Sequence, residues 1–64
     1  MFSKKGFEDY FGDLLAVERG MASVARETAN LVQDSEVRAR LLAIQADEER
    51  HIAMVEGIRS LFAD

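Results

Sequence analysis

Two apolar stripes, each stepping alternately by four and three residues, flank a single break near the middle of the chain, and this pattern leaves few folds open. The first runs through Phe7, Phe11, Leu14, Glu18, Met21, Ala25, Thr28 and Val32, the second through Val37, Leu41, Ile44, Glu48, His51, Val55, Ile58 and Phe62. Such spacing keeps one side of a helix turned toward its neighbours, as in the seam of a bundle. Tyr10, Val17, Val24, Leu31, Ile52 and Leu61 flank the stripes and widen them, as expected of helices that touch more than one neighbour. Glu8, Asp9, Asp13, Arg19, Arg26, Glu27, Arg38, Glu49, Glu56 and Arg59 fall outside and read as a solvated face.

The break lies at Asn30-Leu31-Val32-Gln33-Asp34-Ser35. Ser3 is placed to cap a first helix over about 4–32, and Asp34 or Ser35 a second over about 35–62, with the turn at about 33–34. Glu36 adds favourable charge to the second helix's first turn. Each helix is then about 39 Å long at 1.5 Å per residue. A short turn between long helices folds them back on each other. With no proline to interrupt it, the chain reads as one all-α domain, an antiparallel helical hairpin.

Size makes that hairpin marginal. Its 64 residues contain no cysteine, so neither a disulfide nor a thiolate metal site can staple it. A second copy covering the open side of the stripe is the expected remedy, giving a homodimer built as a four-helix bundle. The net charge of -4 argues against binding a nucleic-acid backbone and suits attraction of cations. Lys4 and Lys5 form too small a basic cluster to change that reading. No apolar run approaches the about 20 residues of a membrane span. The basic start is followed by Gly6-Phe7-Glu8-Asp9-Tyr10 and not by the apolar core of a signal peptide, so a cytoplasmic location is expected.

Glu18, Glu48 and His51 interrupt the stripes, and all three are metal-capable. An ionised carboxylate in a bundle core costs several kcal/mol unless it is paired or bound to a cation. Glu48 and His51, three residues apart, project from one helix face. Glu18 stands 15 residues before Gln33 and Glu48 stands 15 after it, which puts them level in a hairpin folded at that point. One hairpin offers two carboxylates and one imidazole; a two-fold pair offers four and two. That is the ligand set of the ferritin-like di-iron and di-manganese bundles. Oxygen and nitrogen donors without sulfur suit iron or manganese, with zinc a redox-silent competitor.

Glu18, a gap of 29 residues, then Glu48-Glu49-Arg50-His51 followed by Ile52-Ala53-Met54 resemble the encapsulated ferritins, across roughly residues 14–62. The resemblance implies a ferroxidase site built between two subunits, with two iron ions per dimer site held by Glu18, Glu48 and His51, which oxidises Fe(II) with dioxygen or peroxide. It also implies a higher ring-like oligomer and an encapsulin-type protein nanocompartment. The chain departs from the family in carrying Val24 and Ala25 at its aromatic pair, and Val17 and Gly20 where the family has further carboxylates; Asp47 is the acidic neighbour that remains. The competing reading is a helical-hairpin assembly module in which the Glu and His residues form a buried network without catalysis. A third is metal binding without turnover.

Other features read more simply. Gly12, Ala16 and Gly20 lie four apart on one ridge, either from chance or for close approach of a neighbouring helix. Met21 and Met54 are expected to fill core, and Tyr10, two turns from Glu18, to pack as an interfacial aromatic.

Overall fold

The computed structural model describes residues 3–62. Two helices account for nearly all of them: α1, Lys4–Leu31, and α2, Ser35–Ser60, with no strand among the described residues. Ser3 Oγ accepts the backbone N–H of Gly6 at 3.0 Å and starts α1. Asp34 Oδ1 does the same for Val37 at 2.9 Å, so Asp34 and not Ser35 is the cap of α2. Each cap satisfies one of the amide donors that a helix start leaves open. α1 stops where Val32 turns extended, its N–H still reaching Thr28 O at 3.1 Å.

α2 ends at Ser60, two residues short of the expected limit. Gly57 lowers helix propensity there, and the Ser60 hydroxyl donates to Gly57 O at 2.7 Å. The following N–H groups tighten, Leu61 to Ile58 O and Phe62 to Arg59 O, as fraying helix ends do.

The helices run antiparallel as a hairpin in a rod of 47 × 17 × 15 Å. Phe7 and Phe11 of α1 stack on Phe62 at the open end, with centroids 5.1 and 6.0 Å away. Surface pairs along single helices, Lys5–Asp9 and Arg40–Glu36, add only tenths of a kcal/mol each.

The contact face differs from the expected stripe. Leu15, Ala22, Ala25 and Ala29 are the buried residues of α1, whereas Met21 is half exposed. Leu15, Ala22 and Ala29 are one heptad apart and lie beside the anticipated positions. The helix is apolar over far more than one seam, and its small-residue side lets α2 approach most closely. The larger side chains Val17, Met21 and Val24 are left outside. On α2, Val55 is buried, Leu41 and Ile52 are half-buried, and Val37, Ile44 and Ile58 remain exposed. Together these residues give the hairpin a second, uncovered apolar face.

Candidate metal centre

Glu18 on α1 and Glu48 on α2 meet in the middle of the interhelical contact. Glu48 is 8% exposed, the only charged residue buried among those described. Glu18 is half-buried beside it. Helix phase explains both placements: Glu18 falls between Leu15 and Ala22 along the contact face, and Glu48 one heptad from Leu41 and Val55. His51, one turn beyond Glu48, stands at the rim. Its side chain is 53% exposed, yet Nδ1 lies 3.6 Å from Glu18 Oε2 and 3.9 Å from Glu48 Oε2.

One ligand atom from each of the three residues falls within a 4.8 Å circle of the others. Donors on opposite sides of a cation bound at about 2.1 Å are about 4.2 Å apart, so small rotamer adjustments close the group around an ion. Glu18 Oε2 and Glu48 Oε2 are both buried without a hydrogen-bond partner. Unpaired buried carboxylate oxygens are costly, and two facing the same point are more so. The Nδ1 distances are too long for hydrogen bonds that would relieve them. A small cation fits this donor set.

The Glu48 carboxyl is held above its ordinary 4.5. The neighbouring Glu18 side chain, able to accept the proton that Glu48 keeps, is the largest cause. Burial and repulsion from the Glu18 charge follow, and His51 acts in the opposite direction. Glu48 therefore gives up its proton less readily than a carboxyl in water.

The surroundings differ from the sequence reading in several respects. Asp47 points away from the group and accepts from Arg50 at the surface. Met54 is exposed, and Met21 lines an open groove, so neither is core filler. Tyr10, as expected of a packed aromatic, sets its ring edge-on to Phe11 at 5.6 Å, in the open-end cluster and away from the carboxylates. A methyl group built on Gly12 or Gly20 would meet no side chain within 4 Å, so no helix of the chain itself crowds that ridge. Arg19 and Glu56 are exposed, as a solvated face requires, and pair between the helices at 3.3 Å.

Beside the centre, Val17, Met21, Val24 and Thr28 of α1 face Leu41 and Ile44 of α2 across an apolar groove of about 520 Å³. The groove belongs to the uncovered face. His51 lies one heptad from both Ile44 and Ile58, in the exposed row of α2, so the open side of the metal-capable group gives onto this face. No described helix is long and apolar enough to cross a membrane. Comparison of the chain with protein-family models, curated proteins and solved structures gives no match.

Proposed function

We propose that this chain is a ferritin-like protein that oxidises Fe(II), with Glu18, Glu48 and His51 taking up the iron and a second copy completing the site. The observation that carries the reading is the pair of buried carboxylate oxygens, unpartnered and beside an imidazole nitrogen, where the donor group opens onto an apolar face. Two copies joined on that face would bring together four carboxylates and two imidazoles.

Fe(II) is the substrate. The two glutamates neutralise its charge and His51 adds a neutral nitrogen donor through Nδ1. The cation competes with protons for the Glu48 carboxylate. Each Fe(II) gives up one electron. Peroxide, taking two electrons from the pair, is cleaved to two hydroxides; dioxygen, taking two electrons and two protons, becomes hydrogen peroxide. Manganese and zinc suit the same donors, and zinc would occupy them without turnover. By the same family resemblance, the dimers build a ring-like assembly housed in a protein compartment.

Anaerobic loading with Fe(II), followed by air, tests the function. Saturable uptake of two iron ions per dimer and growth of ferric absorbance on aeration are expected, with both lost in Glu48→Ala and His51→Ala. Zinc-like binding without ferric product would leave a metal-binding protein. Equal behaviour of wild type and variants would leave a polar network that fixes the hairpin's register.

A further inference from the structure

We infer that Arg38 is a positioning residue for the carboxylate pair: by holding the last carbonyls of α1 it sets the register that brings Glu18 level with Glu48. The inference rests on the metal-binding reading and extends it from the ligands to what aligns them.

α1 ends without a device of its own. It has no basic residue in its last turn, and neither Val32, its extended cap, nor Gln33 after it is the glycine common at a helix end. Arg38, from the first turns of α2, supplies what is missing. Its Nε donates to Ala29 O at 3.2 Å and its Nη2 to Val32 O. A planar guanidinium donating in two directions fixes position as well as distance, which a single contact cannot do.

The α1 packing near the turn does little to fix register by itself. There α1 meets α2 through Ala22, Ala25 and Ala29, short side chains that form a shallow ridge. On α1 the large knobs that would lock one register, Leu15 and the stacked phenylalanines, lie beyond the site toward the open end, and on α2 Leu41 is the one large apolar side chain even half-buried between the turn and Glu48. Glu18 precedes Ala29 by 11 residues and Glu48 follows Arg38 by 10. The clamp is thus about 15 Å along the helices from the carboxylates and touches no ligand. It acts through the helices alone. A slip of one residue would shift one carboxylate by about 1.5 Å along the axis and turn it by about 100°. Neither displacement is compatible with a group whose donors must close on one ion.

The test uses Co(II), whose visible absorption reports coordination geometry and which stays divalent in air. Arg38→Met keeps the stem and helix propensity and removes both donors; Arg38→Lys keeps the charge and a donor. Phe62→Ala weakens the hairpin at the far end and serves as a control for stability. Arg38→Met should bind Co(II) about 10-fold more weakly or worse, with an altered absorption band. Arg38→Lys should recover part of the affinity and the wild-type band, and Phe62→Ala should keep the band despite a lowered melting temperature. Wild-type affinity and spectrum in Arg38→Met would overturn the inference while leaving the metal reading intact. So would a loss that simply tracks melting temperature across both sites. Absence of saturable Co(II) binding in the wild type would sink the metal reading first, and this inference with it. Should Arg38→Met lose its helical circular dichroism, the same comparison is made in a Gly12→Ala background, which strengthens α1 away from the clamp.

Discussion

Glu48 holds its proton more tightly in the folded chain than in the unfolded one, and the sign of the consequence follows. A carboxyl raised on folding contributes stability that is fully present below its unfolded value of 4.5 and lost as pH rises through the folded value. The apo protein should therefore lose stability relative to Glu48→Gln as pH rises from about 4 to about 7, when the two are melted in parallel. A flat difference between them would mean that folding does not raise the Glu48 carboxyl. Iron uptake should run the other way across the same window, tightening with pH because the cation displaces that proton. Glu18→Ala, Glu48→Ala and His51→Ala should each abolish the gain in melting temperature that iron gives the wild type. The apo forms should stay folded, since each substitution removes part of a repulsive cluster and alanine suits a helix. The three residues were legible in the sequence because each breaks an apolar stripe at a level position. Their unequal exposure was not. A stripe gives the direction of a side chain only to within about a third of a turn, and His51 sits at its edge.

At the scale of the helices, the caps act as local sequence rules require. Asp34→Ala should cost about 1 kcal/mol, read as a lowered denaturation midpoint, because it frees the Val37 amide at the start of α2. Gly12 lies inside α1 with nothing packed on it, so Gly12→Ala should stabilise the chain by up to about 1 kcal/mol. Loss of stability instead would show that another helix uses that space. The ends of the helices were readable from Ser3, Asp34 and the break between them, for capping depends on a few adjacent atoms. Which side of α1 would face α2 was not. Apolar residues extend around more than half of that helix, and the outcome turned on size: Ala22, Ala25 and Ala29 permit close approach, while Met21 and Val24 do not. Arg38 was likewise unreadable as anything but a surface charge, because its partners are carbonyls that only the fold presents.

The whole molecule is a rod with one apolar side closed and another open. The proposed pairing on the open side makes a concentration-dependent prediction. Val24→Glu, which places a charge in the groove wall, should shift the sedimentation profile toward monomer, whereas Leu42→Glu on the outer side of α2 should not. Identical profiles for wild type and Val24→Glu would reject the groove as the contact. The thinness of the rod has a consequence for the field at its centre. A body only 15–17 Å across has no deep interior, so Glu18 and Glu48 lie within one side-chain layer of bulk water on the groove side. Water there strongly attenuates the repulsion between the two carboxylates; hydrocarbon in its place would let it act nearly in full. The acidity of Glu48 is therefore no fixed property of the chain. It should strengthen with dilution, which leaves the groove to water, and weaken with concentration, as a second copy covers it, so that a protein of constant sequence titrates differently at different concentrations.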